Sequence, residues 1–270
     1  MDKLMFFVFD IRFLESNTHK KKICQAQLKK ARPIPRQINP PIYWRKTKIM
    51  NIFKNLHAFV WQSMTANNCN TYLIDGPTRV LIDPGHSRLF DHVVGGLKQL
   101  GLAIKDIDVL ICTHAHPDHI EAVQLFKDIP TRFTLHEEEW QWAVTIGKQM
   151  SAAFGIDMDA IIPDFFLREG NLSLDGLEMD IFHTPGHSPG SITLYWPSQK
   201  ALFTGDLVFK EGLGRTDLPG GDGSKLKDSI KRLTDLEVEW LLSGHGEIVS
   251  GSEKVRKNFA EIEQFHFAYV

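Results

Sequence analysis

The sequence predicts an α/β fold, and three observations carry that expectation. The chain has 270 residues, 43% of them hydrophobic, enough to fill a large core. Short apolar runs recur between clusters of Gly, Pro, Asn and Asp, as strands and their turns do. Segments with apolar residues at helical spacing fall between those runs. Two sheets covered by outer helices, a four-layer αββα sandwich, accommodate this order as one of several α/β arrangements.

The elements follow in chain order. HAFVWQSM, NCNTYLIDG and TRVLIDPG are compact strand-like runs, and DGPT between the last two reads as a tight turn. Arg88–Leu100 carries Leu89, Val93, Leu97 and Leu100 at helical spacing. IDVLICTH predicts a buried strand, IEAVQLFKD a short helix, TRFTLH a strand and Glu137–Phe154 a helix. LSLDGLEMDIFH reads as a hairpin about Asp175–Gly176, and SITLYW and ALFTGDLVF as two further strands. Lys225–Leu236 is amphipathic, VEWLLSGHG returns to a strand, and Glu253–Phe267 closes the chain as a helix.

Charge divides the chain. Residues 1–49 hold twelve Lys/Arg against three Asp/Glu, so the other 221 residues carry a net −11. Composition predicts a basic, flexible or loosely packed extension over 1–49, and the change of character at Met50 marks the start of the folded part, 50–270, whose length allows one large α/β domain or two small ones. Such an arm invites a nucleic-acid-binding or nucleolytic reading. The acidic remainder offers no phosphate track, so nucleic acid is not the expected partner. No apolar run approaches the ~20 residues that cross a bilayer, so no membrane partner is expected. MDKLMFFVFDIRFL carries Asp2, Lys3, Asp10 and Arg12 and lacks the pattern of a secretory signal. With only Cys24, Cys69 and Cys112, a disulfide framework is not expected, and a reducing cytoplasm is the predicted location.

THAHPDHIEAV, Thr113 to Val123, follows an apolar run and places three histidines and an aspartate within six positions. In an extended stretch His114 and His116 point to the same side and can share one cation. Asp118 and His119 lie one turn further, where a loop entering a helix can aim them at a second cation. Pro117 suits the first positions of that helix. Three later segments repeat one pattern, a strand end followed by a small-residue loop with one ligand-type side chain. They are TPGHSPG with His187, FTGDLVF with Asp206 and LLSGHGE with His245. Five imidazoles and two carboxylates without a thiolate suit zinc, iron or manganese. A closed structural zinc site would draw on cysteines. A carboxylate such as Asp206 can bridge two cations that share and activate one water.

THAHPDH resembles the T-H-x-H-x-D-H signature of the metallo-β-lactamase superfamily. LIDPG, TPGHS, TGD and SGHG are similar to its other motifs, in the same order. The resemblance runs from about Asn55 to the C-terminus and implies the αββα fold with a metal site at one edge. It implies two divalent ions, zinc in the first place with iron or manganese as alternatives. His114, His116 and His187 would hold one ion, Asp118, His119 and His245 the other, and Asp206 would bridge them. Asp83, in LIDPG, would steady a ligand by hydrogen bonding. His183, four before His187, would be a supporting residue, since the family pattern uses the second histidine of HTPGH. His57, His86 and His136 read as ordinary polar or partly buried histidines.

GLGRTDLPGGD, after Asp206, is similar to segments of glyoxalase II-like hydrolases and of persulfide dioxygenases. In it Arg215 can meet a substrate carboxylate or hold the loop through Asp217. The leading expectation is hydrolysis of a small ester or thioester by a hydroxide bridging two cations, with Asp118 orienting it. The alternative is a single iron held by His114, His187 and Asp206, with persulfide dioxygenase-like chemistry. Two departures stand out. Only 25 residues follow His245, so the glutathione-binding helical domain of glyoxalase II is not expected. The family's Gly-Gly is replaced by Glu121–Ala122. Trp140, Trp142, Met150, Phe154, Met158, Phe165 and Phe166 can roof a small-molecule pocket or form a homodimer surface. Helix-to-core packing is the simpler reading.

Overall fold

The computed structural model describes residues 49–270 except 64, 146–155 and 158–160. The expected basic extension therefore lies, Ile49 apart, outside the described residues, and so do Met150, Phe154 and Met158. Seven strands form the first sheet in chain order: β1 (Ile49–Phe53), β2 (Leu56–Phe59), β3 (Thr71–Ile74), β4 (Val80–Ile82), β5 (Val109–Ile111), β6 (Arg132–His136) and β7 (Phe165–Leu167). From β1 to β4 the pairing is antiparallel, and from β4 to β7 it is parallel. Between the parallel strands run α1 (Asp91–Gln99), the one-turn α2 (Pro117–Ile120) and α3 (Glu137–Thr145).

The second sheet contains β8 (Gly170–Leu174), β9 (Leu177–His183), β10 (Ile192–Trp196) and β11 (Ala201–Gly205). A separate ribbon of β12 (Val208–Phe209) and β13 (Gly212–Leu213) precedes α4 (Gly223–Leu233), which begins at an Asp222 cap accepting from Lys225 N. β14 (Trp240–Ser243) returns parallel to β11, β15 (Val249–Ser250) closes the edge, and α5 (Ser252–Phe265) covers it. The sheet order is β15-β14-β11-β10-β9-β8.

Three apolar clusters stack through these layers. Strands buried on both faces send successive side chains to different clusters, as period-two geometry requires. Tyr72, Ile74, Val80, Ile82, Val109 and Ile111 meet Met179, Ile181, Leu194, Phe203 and Leu242 between the sheets. The intervening Leu73, Leu81 and Leu110 pack outward on Val93 and Leu97 of α1 and Trp142 of α3. On the far side Leu202 and Leu241 pack on Leu226, Ile230, Phe259 and Ile262 of α4 and α5. The αββα sandwich follows directly. Phe203, 1% exposed and edge-on to Tyr72 at 5.4 Å, locks the two sheets together. Phe203→Ala is expected to destabilise the fold by about 3–5 kcal/mol, read as a lower urea midpoint with the slope unchanged.

Some elements differ from the sequence expectation. IEAVQLFKD is largely 3₁₀, with α2 giving way to a 3₁₀ stretch over Glu121–Phe126. It is stitched to the turn after β4: Ala122 N donates to Gly85 O, Ser87 Oγ to Glu121 O and Gln124 Nε2 to Ser87 Oγ. Those bonds compete with regular i→i−4 pairing. Trp140, Trp142 and Phe165 pack into the cores and Phe166 is 40% exposed on β7, so core packing accounts for most of the described aromatics in that stretch.

Candidate metal centre

One edge of the sandwich gathers the loops that leave β4, β5, β9, β11 and β14. β5 ends at Ile111 and the chain turns through His114 and His116 into α2, where Pro117 occupies the first helical positions. β11 ends at Gly205, and its parallel register with β14 sets Gly205 opposite Ser243, so Asp206 and His245 emerge side by side. The loop after β9 brings in His187.

The seven side chains proposed from sequence meet there. Three groups have ligand atoms all within 4.8 Å of one another: His114, His116 and His187; His114, His119 and Asp206; and Asp118, His119 and His245. His116 Nδ1 lies 2.8 Å from His187 Nε2, and His187 Nε2 lies 3.5 Å from Asp206 Oδ2. His245 Nε2 is 3.3 Å from both Asp118 Oδ2 and Asp206 Oδ2, and His119 Nε2 is 3.2 Å from Asp206 Oδ1. Asp206 thus touches histidines of both outer groups.

Neighbouring groups orient these rings. His187 Nδ1 donates to Arg215 O at 2.8 Å, which turns the Nε2 lone pair toward the cluster. Asp83 accepts from Thr113 N at 2.7 Å and Thr113 Oγ1 at 2.8 Å, and its Oδ2 lies 3.0 Å from His119 Nδ1. Thr113 Oγ1 is in turn 3.1 Å from His114 Nδ1, leaving His114 Nε2 free.

Protonation follows from burial and neighbours. Burial and the adjacent imidazoles push His114 well down and His116 down to about 3, and burial lowers His187. Burial alone would raise Asp206 and Asp118, but the histidines around them hold both carboxyls below their usual range. Burial opposes a charge on His119 and His245 too. Even so, Asp206 and Asp83 hold His119 up, and hydrogen bonds to Asp118 and Asp206 lift His245 to about 9. Three neutral imidazoles and two ionised carboxylates are the states a cation requires, and the two raised histidines would give up their protons to one. His114 Nε2 and Asp206 Oδ1 are buried without a hydrogen-bond partner, and a cation would satisfy both. The donor set, imidazole and carboxylate without thiolate, fits zinc, iron or manganese.

A cavity of about 730 Å³ opens onto the cluster, lined by His86, Arg88, Phe209, Leu213, Arg215 and Leu218 among others. Arg215 is exposed and paired bidentately with Asp217 at 2.7 and 2.6 Å, so its guanidinium is engaged within its own loop while its carbonyl serves His187. His183 joins none of the three groups. It donates from Nε2 to Pro189 O at 2.9 Å and stacks on His136 at 4.2 Å. His57 pairs with Asn51 Oδ1 at 2.7 Å. His86 lines the cavity with Nδ1 hydrogen-bonded to Glu121, which gives the replacement of the family's glycine a partner.

Sequence reasoning missed Asn67 and Glu139. Asn67 Nδ2 donates to Asp118 Oδ2 at 2.6 Å, and the available signal was three asparagines in four positions. Asn68 Oδ1 accepts His86 N, and Asn70 Nδ2 donates to Ser243 O and Gly246 O, so the same loop ties several site-bearing turns together. Glu139 is fully buried on α3 behind the histidines, in a run of three glutamates that reads as a solvated helix start.

The Lactamase_B model, described as the metallo-beta-lactamase superfamily, matches residues 64–245. A probable metallo-hydrolase of Methanocaldococcus jannaschii is 37% identical over 188 residues, covering 66% of this chain and 88% of the relative. The hydroxyacylglutathione hydrolase GloC of Haemophilus influenzae is 34% identical over 197 residues, covering 71% and 91%. Among solved structures, TTHA1623 in a di-iron-bound form is 32% identical with TM-score 0.60, covering 74% of this chain and 98% of that one. BLEG-1, a B3 metallo-beta-lactamase, is 30% identical with TM-score 0.61, covering 75% and 95%.

Proposed function

The chain belongs to the metallo-beta-lactamase superfamily, and from that premise we propose that it is a dinuclear metal-dependent hydrolase of a small ester or thioester. The observation that carries this reading is the convergence, at an open cavity, of three interlocking groups whose ligand atoms lie within 4.8 Å of one another inside each group. His114, His116 and His187 would hold one cation and Asp118, His119 and His245 the other, with Asp206 facing histidines of both groups. Zinc is the expected metal, with iron or manganese as alternatives, and the likeness to a di-iron protein keeps iron in view. Bound there, two divalent cations would supply an acidified water near neutral pH and Lewis-acid polarisation of the substrate carbonyl.

The chain's own residues do the rest. Asp118, anchored by Asn67 and His245, orients the attacking water through its carboxylate. Asp83 fixes His119 and, through Thr113, His114. His183 steadies the loop of His187 by bonding Pro189 O. Phe209, Leu213 and Leu218 form an apolar wall beside the ligand cluster, and Arg88, exposed on the cavity lining, gives a polar end of the substrate a place to rest. The thioester half of the proposal is supported by the name of the Haemophilus relative. Residues 50–270 form the catalytic domain, with 1–49 as its basic extension. Cys69 and Cys112, buried and unpaired, fit the reducing cytoplasm in which we place it, and no helix of the described residues is long and apolar enough to cross a membrane.

The test is a panel of thioesters, esters and lactones offered to protein of known metal content. Hydrolysis that stops on chelation and returns with added metal, at two cations per chain, is expected. No turnover across the panel by the metal-replete protein would refute the reading. One iron per chain with oxygen uptake would move the assignment to the dioxygenase-like alternative.

A further inference from the structure

Glu139 is a buried carboxylate with no part in the chemistry described above. Its side chain is 0% exposed, on the first turn of α3, and it belongs to none of the three ligand groups. Instead it takes three hydrogen bonds from two loops. Oε1 accepts from Ala115 N at 2.8 Å, and Oε2 accepts from Ser188 Oγ and from Gly190 N, both at 2.8 Å. Ala115 stands between His114 and His116, and Ser188 follows His187. One carboxylate therefore clamps both backbones that carry the three-histidine group.

The surroundings serve that clamp. Gly190 comes so close to α3 that a Cβ there would sit 2.1 Å from Glu139 N, and only glycine permits the approach. One turn along α3, Trp142 packs edge-on to His116 at 5.7 Å. Ser188 Oγ also meets Ser191 Oγ at 2.6 Å, so the His187 loop is held at several points. Burying an ionised carboxyl is costly, and burial pushes the Glu139 carboxyl up while its three donors pull it back. A pair of loops wanting only stability would be as well served by apolar packing. A fixed acceptor adds a set distance between the loops, on which ligand spacing depends.

We propose that Glu139 is a positioning residue that sets the spacing of His114 and His116 against His187, and so the affinity of the three-histidine subsite for its cation. The inference rests on the dinuclear reading above. Neutral glutamine keeps the shape but turns an amide nitrogen toward N–H and O–H donors, so one loop loses its acceptor.

The test uses the full chain, loaded with cobalt(II) or zinc. For Glu139→Gln, chelator competition is expected to show one of the two cations bound about 10–100-fold more weakly and the other unchanged. The cobalt(II) visible spectrum is expected to change in intensity and position. Ser188→Ala, which removes one donor and leaves the charge with two, is expected to show a smaller loss confined to the same cation, and it decides the matter if Glu139→Gln does not fold. Phe203→Ala supplies the comparison: it lowers stability without touching either loop, and its cation affinities and spectrum are expected to match wild type. Unchanged affinity and spectrum in the Glu139 and Ser188 variants, or equal weakening of both cations in step with stability, overturns the proposal while leaving the dinuclear centre standing. A wild-type protein that binds no cation overturns both.

Discussion

Asp206→Ala is expected to reduce the metal content from the proposed two ions per chain to one or fewer and to lower kcat/KM on the order of 10³-fold or more. Its carboxylate is the contact common to both outer ligand groups, with Oδ1 facing His119 and Oδ2 facing His187 and His245. No neighbouring acid can take its place. Asp118 Oδ2 is held by Asn67, and Asp83 is held by Thr113 behind His119. The side chain is not part of an apolar cluster, so the sandwich should persist with an unchanged far-ultraviolet circular dichroism spectrum. Elemental analysis after dialysis, set beside steady-state kinetics on whichever substrate the panel yields, checks both halves. Two tightly bound ions and undiminished turnover in this variant would remove Asp206 from the centre.

Gly244→Ala is expected to have a comparable effect from a position that ligates nothing. A Cβ at Gly244 would lie 2.3 Å from Asp206 Oδ1 and 2.7 Å from His119 Cε1. The backbone around it cannot easily yield: Gly244 N donates to Gly205 O at 2.8 Å and Asn70 N donates to Gly244 O at 2.6 Å. Nor can Asp206 retreat, because Gly214 packs so tightly on its carbonyl that a Cβ there would be 1.8 Å from the oxygen. The added methyl must displace the carboxylate or the imidazole, an overpacking that costs about 1–3 kcal/mol. The expected result is loss of the cation proposed for Asp118, His119 and His245, retention of the other, and hydrolysis reduced about 100-fold or more. Gly246, on the other side of His245, sharpens the comparison. It has open space around it but a φ of +76°, so Gly246→Ala strains the backbone by about 1 kcal/mol and should spare both ions. Equal metal content in the two variants would show that crowding at Gly244 does not reach the centre.

Most strands were legible as apolar runs because a strand buried on both faces needs nothing but apolar residues, and TYLI, VLI and LLS supply them. β1, with Met50 and Asn51 exposed, and β7, with Phe166 exposed, lie at the two edges of their sheet and lack that signature, so neither was anticipated. The amphipathic helices over the second sheet were visible from their apolar spacing. The 3₁₀ stretch after α2 was not, because its cause is a set of bonds to a turn some thirty-five residues earlier.

The site divides along the same line. By itself the chain determined the ligand inventory: histidines and aspartates at the ends of apolar runs, in loops rich in glycine and proline, with no cysteine among them. These are properties of neighbouring residues, and neighbours are what a sequence displays. Only the tertiary structure decided that Arg215 spends its guanidinium on Asp217 and lends its carbonyl to His187. It alone decided that Asn67 holds Asp118, and that Glu139, one of three adjacent glutamates, turns inward to join two loops. Those partners lie 24 to 51 positions apart, apart from the Arg215–Asp217 pair, and sheet register brings them within hydrogen-bond reach. A hydrogen bond depends on distances of tenths of an ångström, and no local pattern of residue types encodes a distance across a sheet.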